Sequence, residues 1–115
     1  LFARPASRYR KGRSTAVGGQ VPKNAEGEFV VGGIAEQARQ TLDNLMKTLR
    51  QAGYGPEDVV KVNVWLDDPR DFAIFNRIYS QYFSIEHAPA RVTVQGHMMN
   101  DFKVEMDCVA WKEPR

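Results

Sequence analysis

The 115-residue sequence holds one cysteine, Cys108, and two histidines, His87 and His97. A single thiol excludes an internal disulfide, and neither histidine has a cysteine at ligand spacing, which argues against a metal site. Ser7, Ser14, Ser80 and Ser84 stand outside the spacings of a nucleophile elbow or a phosphate-binding loop, so covalent catalysis lacks a candidate. No run of about 18 apolar residues occurs, so no segment reads as a membrane-spanning helix. The opening Leu1-Phe2-Ala3-Arg4-Pro5 lacks the apolar run of a secretory signal. With one thiol and neither kind of segment, the expected setting is a reducing cytoplasm. Repeats and low-complexity tracts are missing too.

Acidic side chains are missing from the first 25 residues, where Arg4, Arg8, Arg10, Lys11, Arg13 and Lys23 all precede Glu26. The formal net charge is only +2, so the remainder of the chain is acidic. Residues 1–11 read as a basic N-terminal arm that would grip nucleic acid or neutralise a neighbouring subunit. The body carries no Lys/Arg stripe interleaved with exposed aromatics, which argues against nucleic-acid recognition.

What is present describes one ordinary domain, residues 1–115, with 43% hydrophobic and 26% charged content. A chain of this size buries roughly two thirds of its unfolded surface. A full sheet face left open would therefore need a cover, and an oligomer supplies one.

Ser14-Thr15-Ala16-Val17-Gly18-Gly19 reads as a strand running into a bend, with glycines that permit close backbone approach. Asn24-Ala25-Glu26-Gly27 reads as a turn, and Glu28-Phe29-Val30-Val31 as a short extended piece. From Ile34 to Ala52 the apolar residues Ile34, Ala38, Leu42, Leu45, Leu49 and Ala52 recur at helical spacing, and Gly53 supplies the stop. Val59 to Leu66 alternates and is rich in β-branched residues, as a strand should be. Asp68 caps a second helix with Pro69 in its first turn, and Phe72, Phe75, Tyr79, Tyr82 and Phe83 give it an aromatic inner face.

Two alternating segments follow, Pro89 to Val94 and Phe102 to Met106, joined by a short link containing Gly96 and Asn100. They read as a β-hairpin. Alternation then predicts Val92 and Val94 in the core with Arg91, Thr93 and Gln95 on the other face. The second strand places Phe102, Val104, Met106, Cys108 and Ala110 inward and Lys103, Glu105 and Asp107 outward. On this reading Arg91 and Glu105 share the polar face, an anion anchor beside a carboxylate able to hold a water. Alternating charges on a half-buried sheet are ordinarily its wet face and no more. The element order as a whole suggests an α+β sandwich with two helices on one sheet face.

These pieces resemble the Rid (YjgF) family of enamine and imine deaminases. The similarity runs from about Gly12 to Ala110 through Gly18-Gly19-Gln20-Val21-Pro22, Gln37 to Leu45, Val59 to Val64, Asp71-Phe72 with Asn76 and Tyr79, Pro89-Ala90-Arg91, and Val104-Glu105-Met106. The resemblance implies a chorismate-mutase-like α+β two-layer sandwich, with two helices on one face of a mixed sheet. It also implies a homotrimer with ligand clefts between subunits. By similarity Arg91 binds the substrate carboxylate, Glu105 holds the attacking water, and the backbone at Thr93 and Gly19 lines the cleft. The implied reaction is hydrolysis of a 2-imino acid, formed from an enamine such as 2-aminoacrylate, to a 2-keto acid and ammonia, with no cofactor.

The chain departs from the best-known branch in three places. Thr93 stands where many members carry Cys. Ala6 follows Pro5 where a Pro-Tyr pair is familiar, leaving Tyr9 as its substitute. The link Gln95 to Asn100 is shorter than usual and reshapes a cleft wall. Three other readings stay open: a catalytically silent binder of a small carboxylate, a deaminase of another enamine such as 2-aminomuconate, and an RNA-associated protein driven by the basic arm.

Overall fold

The computed structural model describes residues 8–11 and 13–113. Among these residues five strands, β1 (Arg8–Lys11), β2 (Ser14–Gln20), β3 (Val59–Leu66), β4 (Ala90–Gln95) and β5 (Val104–Trp111), form one sheet in the order β1-β2-β5-β3-β4. Two helices, α1 (Ile34–Gln51) and α2 (Phe72–Tyr79), cover one of its faces. Of the segment read as a basic arm, residues 8–11 form β1 against β2, and residues 1–7 lie outside the described residues.

α1 follows from its stripe. Ala38, Leu42, Leu45 and Leu49 are fully buried, with Gln37, Thr41 and Met46 beside them. The helix starts where Glu36 turns back to accept from the Gly33 amide at 2.9 Å. It ends at Gly53, whose φ of +88° lets the chain reverse, after which the Tyr54 amide donates to the Leu49 carbonyl. Asn44 donates to the carbonyls of Val21 and Lys23, pinning the loop after β2 to the helix. Within that loop residues 28–31 form no strand. Only an isolated bridge between Lys23 and Phe29 forms, because the turn at Asn24 brings the chain back on itself.

Asp68 caps as expected, its carboxylate accepting from the Arg70 amide at 2.9 Å. It opens a single 3-10 turn, Pro69–Asp71, before α2 proper begins. Phe75, Ile78, Tyr79 and Phe83 point into the core, while Phe72 stays 43% exposed.

The sheet corrects the hairpin. β4 and β5 do not pair: β3 lies between them, parallel to β4 and antiparallel to β5. The cause is the order strand, helix, strand. α2 carries the chain back along the sheet, so β4 must enter beside β3 in the same direction. β5 buries Val104, Met106, Cys108 and Ala110 and takes the centre, paired on both sides. β4, with little to bury, takes the edge.

Pairing with β3 also reverses the faces of β4. Arg91 lies opposite Val62 and Thr93 opposite Val64, both core residues. Arg91 and Thr93 therefore face the helices. Val92 and Val94, expected in the core, are 46% and 44% exposed on the open face.

Candidate functional site

The expected site residues divide between the two faces. On the helix side, the Arg91 guanidinium carbon sits 4.6 Å from the Tyr79 ring centre, 5.7 Å from that of Phe72 and 5.9 Å from that of Phe75. A planar, weakly hydrated cation over aromatic faces is favourable, and it holds the fork in one place. Among the described residues no carboxylate lies within ion-pair distance of it. Burial pushes the Tyr79 hydroxyl up to about 12, against the opposing pull of Arg91. Polar atoms on the same layer, Thr93 Oγ1, Tyr79 Oη, Asn76 Oδ1 and Asp71 Oδ2, are buried with no hydrogen-bond partner among the described residues. Such atoms are uncommon in folded proteins.

On the open side, Glu105 lies opposite Trp65 and next to Gly19. The missing Cβ leaves room for the Glu105 carboxylate to lie against the backbone at position 19, where a larger residue would push that side chain aside. The ladder between β2 and β5 loses its register between Val17 and Gln20, which brings the Gly18-Gly19 backbone against β5. Partial burial raises the pKa of Glu105 above its ordinary value, and neighbouring Asp107 adds to the effect. No described cation pairs with it. Asp107 itself accepts from Asn63 at 2.9 Å.

Glu105 also lines a shallow recess of about 150 Å³ with Trp65, Gly96, His97, Met98 and Met99. The expectation that Arg91 and Glu105 share a face is thus overturned. Within one chain they stand on opposite faces with β3 between their strands, because the parallel pairing of β4 flips its side chains. Gly19 and Glu105 do come together, and Thr93 stays with Arg91. Tyr9, named as a substitute for a familiar tyrosine, lies in β1 opposite Ala16.

Sequence reasoning missed two features. One is the aromatic seat of Arg91, which the β3-α2-β4 order could have revealed through its implied parallel pairing. The other is the contact of His97 Nδ1 with Asp67 Oδ1 at 2.7 Å. Both histidines read as isolated in the sequence, since the partner comes from the end of a different strand.

The open face carries, besides Glu105, the half-exposed Val60, Val92, Val94, Val109 and Trp111. Cys108 points the other way, 2% exposed, and burial pushes its thiol up to about 12. It is a core residue, as its alternation with Met106 and Ala110 predicts. No described helix is long and apolar enough to cross a membrane.

A family model described as Endoribonuclease L-PSP matches residues 4–112. A RutC family protein of Pyrococcus horikoshii is 41% identical over 106 residues, 90% of this chain and 83% of its own length. The 2-iminobutanoate/2-iminopropanoate deaminase of Escherichia coli is 35% identical over 102 residues, 86% of this chain and 80% of its own length. The solved structure of E. coli TdcF with bound serine matches with a TM-score of 0.87 at 29% identity, covering 98% of this chain and 91% of its own.

Proposed function

Because the chain belongs to the Rid (YjgF) family, whose model is described as Endoribonuclease L-PSP, we propose that it hydrolyses 2-imino acids to 2-keto acids and ammonia. The observation that carries this reading is the pair Arg91 and Glu105, each unpaired among the described residues and each on its own face of the sheet. One chain cannot close them on a single small molecule. Two copies can, when the open face of one packs near the β4 edge of its neighbour.

In this arrangement the chain is a homotrimer with its open faces turned inward. Each cleft then takes Glu105 and Gly19 from one copy and Arg91 and the Thr93 backbone from the next. The half-exposed valines and Trp111 of the open face are the apolar surface such packing would cover. The setting that suits a single buried thiol is the cytoplasm.

The chemistry asks for little. The carbon of a C=N group is already electrophilic, so the protein has to orient the imino acid, supply a water and move protons. Arg91 grips the carboxylate through its planar fork, which the aromatic seat holds in place. Glu105, whose pKa partial burial raises above its ordinary value, accepts a proton from the attacking water and returns it to the departing nitrogen. Neither step calls for a metal or cofactor.

The deciding experiment generates imines in place from a panel of amino acids and follows keto-acid formation. Rates above buffer for at least one small aliphatic imine support the reading. Buffer rates on every imine, with tight binding of small carboxylates, would make the chain a silent metabolite binder. E. coli TdcF with its bound serine gives that alternative its footing.

A further inference from the structure

The recess that holds Glu105 has a second ionisable wall. His97 lines it, two residues beyond β4, and its Nδ1 lies 2.7 Å from Asp67 Oδ1, one residue beyond β3. The two strands are parallel and end in register, Leu66 opposite Gln95, so their first following residues emerge side by side. Asp67 is held on both flanks. Its amide donates to the Lys103 carbonyl at 3.0 Å, and its carbonyl accepts from Gln95 Nε2 at 3.2 Å. Gly96 is tied by its amide to the Leu66 carbonyl at 2.9 Å. A carboxylate on a fixed backbone thus orients an imidazole that is itself 87% exposed, and Nε2 has no partner among the described residues.

We propose that His97, oriented by Asp67, is the second proton-transfer group of the Glu105 recess, giving a proton to the imine nitrogen while Glu105 takes one from water. The inference rests on the deaminase reading. Hydrolysis of a neutral imine needs both transfers. As the water oxygen bonds to carbon, Glu105 takes a water proton and the protonated His97 gives its Nε2 proton to nitrogen, forming a carbinolamine. As the C–N bond breaks and C=O forms, protonated Glu105 gives its proton to nitrogen, which leaves as ammonia. The carbinolamine hydroxyl proton passes to Nε2, and both groups return to their starting states. Asp67, which touches no reacting atom, is a positioning residue. The ionisable groups that the structure places with His97 are Asp67, in contact with it, and Glu105, on the wall of the same recess.

His97→Gln keeps the size and a donor toward Asp67 but cannot carry a proton. It should lower kcat about a hundredfold, the lower range for losing one acid–base group, with KM little changed. One limb of the pH profile should vanish with it while the Glu105 limb stays. Asp67→Asn should give a smaller loss in kcat and keep the limb that His97→Gln removes. Independently of turnover, titration of the wild-type protein with 2-oxobutanoate should shift the His97 ring resonances in an NMR spectrum.

If wild type turns imines over while His97→Gln keeps its full rate and whole profile, this inference falls and the deaminase reading stands. So too if 2-oxobutanoate leaves the His97 ring unmoved. A wild type with only buffer rates would sink both.

Discussion

The guanidinium of Arg91 stacks 4.6 Å from the centre of the Tyr79 ring, on the face of the sheet away from Glu105. The cation proposed to grip a carboxylate is therefore supported from behind by α2, and its grip and its seat can be tested apart.

Arg91→Ala should lower kcat/KM for an active imine by at least about a hundredfold, since two charge-assisted hydrogen bonds of about 1.5–3 kcal/mol each are lost. Arg91→Lys should recover only part, because an ammonium cannot present the fork. Tyr79→Phe should be nearly neutral and Tyr79→Leu should raise KM, the seat being the ring and not the hydroxyl. Steady-state kinetics on the four variants, with circular dichroism to check the fold, decides the matter.

Glu105→Gln keeps the shape of the side chain and loses the base, so turnover should vanish while binding of a keto acid survives. Its effect on stability has a definite sign. A carboxylate whose folded pKa is raised above 4.5 binds protons more tightly in the native state, so its ionisation costs stability as pH rises through the shifted value. Glu105→Gln should melt slightly higher than wild type at pH 7 and no higher at pH 3. Thermal unfolding at the two pH values reads this directly.

Cys108 should resist thiol reagents in the native protein. It is buried between β2 and β3, and the thiolate needed for reaction is suppressed by a pKa pushed up to about 12. Labelling should become fast only in denaturant. Rapid native labelling at neutral pH would place the residue somewhere other than the core.

The open face should be covered by other copies of the chain. Sedimentation equilibrium should return a trimer of the 13.0 kDa chain. Val92→Asp, which puts a charge on that face without touching the core, should shift the protein toward monomer and remove activity together. A wild-type monomer would leave Arg91 and Glu105 unable to meet.

Much of this fold was legible in the sequence, and the reasons are local. The stripe from Ile34 to Leu49 faces one direction whatever it packs against, because 3.6 residues make a turn. The alternation of Val104, Met106, Cys108 and Ala110 names the inner face of β5 before any partner is known, and the approach of Gly19 to the sheet follows from its missing Cβ.

What the sequence could not determine was the neighbour of β4. Ala90-Arg91-Val92-Thr93-Val94 has a plausible inside on either parity: two valines one way, or the long apolar stem of an arginine beside a threonine the other. Only the α2 crossover, setting β4 parallel to β3, chooses between them, and that choice turns Arg91 toward Tyr79 and Val92 toward solvent. Pairing partners are chosen by contacts far apart in the chain, and one residue of register exchanges the two faces of a strand. For the same reason His97 and Asp67, thirty residues apart, read as unrelated until two parallel strands end side by side.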